Sequence, residues 1–245
     1  MQPAPATPFG LPTDQPQSTS APDKRVGIED KFVPEKELLM SDWSALLLDG
    51  AASADSSVSV TQPLPGEEIY LHYGLYSPSE CEKLIAVAET AGFGFTCYPK
   101  DYRGNLRLVT NDPALAERTW QRLKSTVPAT LLHDGVTWEA VGLNPHWRLS
   151  KYYSGDQFQQ HLDTCFTASD TLRSFYTVNV YLNDAFSDGR TRFFDDIVSL
   201  RVQPRPGLAL VFAQPAFRFY THDGEMVRDG IKYLIRSDVM YRRVP

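Results

Sequence analysis

The chain has 245 residues, with 24 lysines and arginines against 30 aspartates and glutamates, a formal net charge of −6 at pH 7. That balance excludes a nucleic-acid binder that relies on a bulk positive field, while 42% hydrophobic and 12% aromatic residues suit a globular domain with a sizeable core. No stretch is apolar enough to span a bilayer, no basic-then-apolar leader is visible, and Cys81, Cys97 and Cys165 show no paired or zinc-like spacing. These features point to a cytoplasmic protein with reduced thiols and no membrane partner.

Residues 1–30, rich in Pro, Ser, Thr, Ala and Gln, read as a disordered tail, because they cannot bury enough apolar surface to offset the entropy of ordering. Residues 31–66 read as a short helix over 34–50, its apolar side Leu38, Leu39, Trp43, Leu46 and Leu47, followed by a linker. A single domain over 67–245 follows, with helical support in 67–141. Ser77-Pro78-Ser79-Glu80 carries helix-start chemistry, and Cys81, Leu84, Ile85 and Ala88 follow at helical spacing up to Gly92. Asp112-Pro113 opens a second helix, with Ala116, Trp120, Leu123 and Val127 on one side.

From Trp147 the pattern changes to short β-rich runs: 147–153, 157–163, 174–183, 191–194, 197–203, 208–213, 216–222 and 231–242. The predicted class is mainly β with a helical buttress, two sheets facing each other as in a jelly roll.

Within that core, His161-Leu-Asp163 places an imidazole and a carboxylate on one side of an extended strand. His222 on another strand could complete one face of a metal ion, and two histidines with one carboxylate are the usual face of non-haem Fe(II) oxygenases. Thr177, Asn179 and Tyr181 share one side of a strand, and Lys232, Leu234, Arg236 and Asp238 share one side of another. Lys232, ten residues after His222, needs an anion if buried. Trp147, Phe166, Phe217 and Phe219 could form an apolar wall, and 97–107 reads as a lid that could bring Arg103, Asn105 or Arg107 over a substrate.

The ordered set Gly142-Leu-Asn-Pro-His-Trp-Arg148, Tyr152-Tyr-Ser-Gly-Asp-Gln-Phe158, His161-Leu-Asp163, Tyr181-Leu-Asn183, Gly189-Arg-Thr-Arg-Phe193, Pro206-Gly207 and His222 with Lys232 resembles the prolyl-4-hydroxylase-type iron(II)/2-oxoglutarate dioxygenases. The resemblance covers about 69–243 and implies a double-stranded β-helix (cupin-like) core over 142–245. It implies His161, Asp163 and His222 as iron ligands, and Lys232 as anchor of the far carboxylate of 2-oxoglutarate. Tyr152, Thr177, Tyr181 and Thr191 match positions around that co-substrate, and Arg236 is a second basic residue that could touch it, touch a substrate or pair with Asp238. Asp188-Gly189 stands where the family often has Gly-Gly.

The activity so implied is hydroxylation of an unactivated C–H bond of a small molecule or a prolyl or amino-acid-like substrate. Fe(II), 2-oxoglutarate and O2 would be required, with ascorbate as an accessory reductant, and succinate and CO2 would be released. The carboxylate at Asp163 argues against halogenation, for which related enzymes need a small residue there. Two other readings are a non-catalytic 2-oxoglutarate- or oxygen-sensing or binding module on the same fold, and a zinc hydrolase using the same three side chains.

Overall fold

A computed structural model describes residues 34–47, 59–194 and 198–245. The tail expected over 1–30 and the first half of the linker, 51–58, lie outside the described residues. Strand β1 (Lys36–Leu38) and a single 3-10 turn (Ser44–Leu46) stand where apolar spacing suggested a helix. The reason is tertiary: β1 pairs in parallel with a later strand, and the Asp112 carboxylate takes the Ser41 hydroxyl at 2.8 Å and the Trp43 amide at 2.7 Å. Partners distant in sequence therefore outweigh local propensity here.

Next come β2 (Ser59–Thr61), β3 (Ile69–Tyr73) and α1 (Pro78–Ala91). Ser77 and Glu80 form the reciprocal capping box that the sequence signals, and Gly92 closes α1 at φ +89°. After β4 (Gly94–Phe95) and β5 (Leu106–Asn111), α2 (Pro113–Leu123) starts at Asp112, whose side chain accepts from the Leu115 amide at 2.8 Å. Buried Glu80 of α1 pairs through both oxygens with Arg122 of α2, at 2.9 and 3.0 Å. The hairpin β6 (Thr130–His133) and β7 (Val136–Leu143) turns through Asp134-Gly135, both at positive φ. The region 67–141 is thus as much sheet as helical support.

The core follows: β8 (His146–Tyr153), β9 (Phe158–His161), β10 (Thr167–Ser169), β11 (Leu172–Tyr181), β12 (Phe186–Asp188), β13 (Thr191–Phe194), β14 (Ser199–Val202), β15 (Ala209–Ala213), β16 (His222–Gly224) and β17 (Val227–Arg243). The strand expected over 216–222 is instead a turn after Pro215, which has no N–H for a ladder, and β16 begins at His222.

The larger sheet runs β1-β5-β8-β17-β11-β15-β3-β2, and the smaller runs β14-β13-β16-β9. This is the expected double-stranded β-helix, mainly β with two buttressing helices. Buried Leu84, Leu115, Leu123, Trp147, Leu149 and Ile235 belong to the apolar core, and Phe193 of the smaller sheet meets Phe212 of the larger at 5.3 Å. The cysteines are free thiols, and among the described residues no helix is long and apolar enough to cross a membrane.

His72 of β3 is buried against the Thr126 hydroxyl at 2.7 Å, and burial lowers its pKa from 6.5 to about 4. Because the unfolded chain takes up this proton first, His72 destabilises the fold progressively as pH falls from about 6.5 to about 4. Thermal melts of wild type and His72→Gln across that window should diverge toward low pH, with wild type losing on the order of 3 kcal/mol more.

Candidate metal centre

Strands β9 and β16 pair antiparallel with His161 opposite His222, and β13 adds Phe193 opposite His222 on the other side. Side chains of directly opposed residues leave the sheet on the same face. Register alone therefore brings the two imidazoles together, with ring centroids 4.3 Å apart. Asp163 lies just beyond the end of β9 and still turns to the same side. Its carboxylate oxygens are 3.7 Å from His161 Nε2 and 3.9 Å from His222 Nε2. One ligand atom from each of the three lies within 4.8 Å of the others.

Protonation suits a cation. Each imidazole uses Nδ1 on the carbonyl two residues back, His161 on Gln159 at 2.7 Å and His222 on Tyr220 at 2.9 Å. Donation there fixes the tautomer and leaves the Nε2 lone pairs facing the gap. Burial, reinforced by His222, takes the His161 pKa down to about 3, so this ring is neutral at ordinary pH.

Burial alone would raise the Asp163 carboxyl, but Arg236, the two imidazoles and Thr177 outweigh it and hold it below the usual carboxylate range. The Thr177 hydroxyl donates to Asp163 Oδ2 at 2.8 Å and accepts from Gln214 Nε2 at 3.2 Å, while Ser174 donates to Gln214 Oε1 at 2.6 Å. Gln214 also donates to Asp238 at 2.9 Å. Arg236 Nη2 stands 3.2 Å from Asp163, 3.3 Å from Thr177 and 3.5 Å from Asp238.

Across the gap, the larger sheet supplies the pocket floor in rows set by its register. Tyr152 of β8 is opposite Lys232 of β17, Ser150 opposite Leu234, and Arg148 opposite Arg236, which has Asn179 of β11 on its other side. All of these face one cavity of about 50 Å³ together with His161, Asp163, His222 and Thr191. Lys232 is buried, and its ammonium donates to the Gly189 carbonyl at 2.6 Å. The rings of Tyr152 and Tyr181 lie 5.4 and 5.5 Å from it. Burial draws its pKa down to about 8, with Glu225 and Asp223 opposing. Tyr181 and Thr191 share a hydrogen bond of 2.6 Å that joins the two sheets.

The aromatic wall is placed differently. Trp147 points to the other face of β8 and donates to the Asp112 carbonyl at 3.2 Å, Phe217 packs on Tyr176, and Phe219 is exposed. Phe166 lines a neighbouring groove. The aromatics that line the metal pocket are Tyr152 and Phe158, the latter stacked on His161 with centroids 3.6 Å apart. Of the expected lid residues only Arg103 reaches the pocket, its guanidinium 4.4 Å from the Phe158 ring centre. Asn105 is buried against Ser150, and Arg107 pairs with Glu35. Arg148 and Ser150 escaped the sequence reading although they alternate with Tyr152 along one strand; so did Asn179 as a pocket residue.

Residues 147–237 match the family model described as the 2OG-Fe(II) oxygenase superfamily. No curated protein matches the chain. Among solved structures, the viral collagen prolyl hydroxylase vCPH of Paramecium bursaria Chlorella virus-1 aligns at a TM-score of 0.51 and 19% identity, over 74% of this chain and 99% of that one. A Pseudomonas putida prolyl-4-hydroxylase aligns at 0.52 and 16%, over 74% and 95%. A Trichoplax adhaerens prolyl hydroxylase, solved with a hypoxia-inducible factor peptide, aligns at 0.51 and 13%, over 71% and 84%. These structures show the shared fold. The family match spans the stretch that carries the triad and Lys232 and supports a 2-oxoglutarate-dependent dioxygenase, a class that uses Fe(II), 2-oxoglutarate and O2.

The residues fit those groups. Two imidazole lone pairs and an ionised carboxylate on one face suit iron(II) and leave its other positions open, and a buried ammonium with donors to spare suits an anion. Because Thr177 orients Asp163, Thr177→Val should weaken Mn(II) binding, measured by calorimetry, by roughly tenfold or more. Unchanged affinity would mean that the hydroxyl plays no part in holding the carboxylate.

Proposed function

Starting from a 2OG-Fe(II) oxygenase core, we propose that His161, Asp163 and His222 hold the iron and that Lys232 receives the far carboxylate of 2-oxoglutarate. The chain would then hydroxylate an unactivated C–H bond of a small molecule or a prolyl or amino-acid-like substrate, with release of succinate and CO2. The observation that carries this reading is a preset three-donor face on one sheet with a buried ammonium facing the same cavity from the other, in no ion pair among the described residues.

Iron(II) bound on that face supplies the oxidative decarboxylation of 2-oxoglutarate and the transfer of an oxygen atom from O2 to carbon. The side chains do the rest. Buried Lys232 presents a positive charge to the pocket, flanked by Tyr152 and Tyr181. Burial keeps both phenols protonated by raising their pKa, so Tyr152 faces the cavity as a hydrogen-bond donor. Thr191 lines the same cavity, held by Tyr181. Phe158 covers one face of His161 and excludes water from that side of the triad. Thr177 and Arg236 act through Asp163, fixing where its carboxylate sits.

A hydrolase would need a general base beside a metal-bound water. The lining carboxylates are Asp163, which belongs to the donor set, and Asp223, which Arg192 engages at 2.6 Å. We favour a small-molecule substrate, because the cavity at the triad, about 50 Å³, is narrow.

Purified protein given Fe(II), ascorbate and 2-oxoglutarate should form succinate in an iron-dependent manner, and His161→Ala or Asp163→Ala should abolish it. Succinate formation that persists in both variants would defeat the ligand assignment. Lys232→Met should raise the Kd for 2-oxoglutarate on the Mn(II)-loaded protein by roughly a hundredfold, the cost of burying a carboxylate without its partner charge.

A further inference from the structure

Beyond Lys232 the pocket carries three more cations, Arg103, Arg148 and Arg236. Arg148 and Arg236 face each other in strict register across β8 and β17, an arrangement that costs repulsion unless anions answer it. The anions present are too few. Asp163 belongs to the proposed donor set, Asp223 is engaged by Arg192 at 2.6 Å, and Asp238 is divided between Arg148 at 3.4 Å and Arg236 at 3.5 Å, while also accepting from Gln214 and Asn144. Arg103 has no carboxylate within ion-pair distance among the described residues. Its Nε donates to Asn105 at 3.1 Å, and its plane lies over Phe158 and Tyr98. Burial, and for Arg148 the neighbouring Arg236, makes the charged form of both guanidiniums less favourable than in water.

Loading the site does not relieve this excess, because the two positive charges of iron(II) cancel the two negative charges of 2-oxoglutarate. Reach is also against the co-substrate. The Arg148–Arg236 row is four residues along β17 from the Tyr152–Lys232 row, roughly 13 Å. A five-carbon diacid anchored at Lys232 and engaged at the metal is too short to span that interval. Arg148 meanwhile lines a second, open groove of about 570 Å³ with Val141, Leu143, Phe166 and Met240, so it stands where that groove meets the metal cavity.

We propose that the primary substrate carries a carboxylate and that Arg148 receives it, with Arg103 adding a second positive charge at the pocket wall. A guanidinium is suited to this, since its planar fork meets both oxygens of a carboxylate at once. The inference rests on the hydroxylase reading and names the substrate class for the same site.

The test is binding of matched acids and primary amides to the anaerobic Fe(II)-loaded protein saturated with 2-oxoglutarate, followed by calorimetry. The probe pairs are L-proline with L-prolinamide, benzoate with benzamide, and propionate with propionamide. Wild type should bind at least one acid ten or more times as tightly as its amide. Arg148→Gln should reduce that preference at least tenfold without changing amide affinity, and Arg148→Lys should restore part of it. Equal affinity for every pair, no binding by any acid, or an equal loss for acid and amide in Arg148→Gln would each overturn the inference. Iron-dependent succinate formation by wild type separates the two levels: with it intact, a missing acid preference removes the inference alone, whereas without it the hydroxylase reading itself falls.

Discussion

The pairing of His161 with His222 across β9 and β16 is the constraint on which the centre depends. Strand side chains alternate, so sliding β9 by one residue would turn His161 to the other side of the sheet and disperse the donor set. Packing holds the register. Phe193 and Phe212 lie 5.6 and 4.8 Å from the His222 ring, and Phe158 stacks on His161. The two imidazoles are thus clamped between aromatic rings before any cation arrives. Two hydrogen bonds then tie this sheet to the larger one, Tyr181 with Thr191 and Thr177 with Asp163.

The second of these ties belongs to a chain with a fixed direction. Ser174 donates to the Gln214 carbonyl, which obliges the Gln214 amide to point at Thr177 and Asp238. Thr177 accepts that amide, so its single proton is left for Asp163. Each member has one orientation that satisfies its neighbours, and a buried network of this kind resists rearrangement because any flip leaves a polar group unpaired. The carboxylate that would share its charge with a metal is thereby aimed by residues on β11 and in the turn after β15.

Much of this was legible in the sequence, and the reason differs from element to element. The triad and Lys232 stand out because their chemistry is rare and their order in the chain is informative. The cap of α1 is visible because Ser77, Pro78 and Glu80 act on each other within one turn. The β6–β7 hairpin had a local signal too, Asp134-Gly135 between β-rich flanks, masked by the helical periodicity on its N-terminal side. Residues 34–47 offered no such clue. Their apolar spacing fits a helix, and only the free edge of β5 and the carboxylate of Asp112 select a strand and a turn. Which face of β8 looks into the pocket is likewise a tertiary fact: Trp147 and Arg148 are adjacent, and the sheet, not the letters, decides that the arginine faces the cavity and the tryptophan faces the start of α2.

β17 converts that tertiary placement into fixed distances. It is the one strand that pairs with both β8 and β11 along the pocket floor, and it carries Lys232, Leu234, Arg236 and Asp238 on a single side. A strand hydrogen-bonded on both edges cannot stretch or slide, so its rise of about 3.3 Å per residue sets the spacing of the positions that carry these charges. Lys232 is buried four residues away from Arg236, which sits beside the triad, where Asp163 and Asp238 hold it charged against the cost of burial. An anion that enters beside Arg148 is therefore kept apart from one held at Lys232, with Leu234 and Ser150 between them. Two anions could share the pocket on this geometry, because the backbone spaces the strand positions that carry the cations.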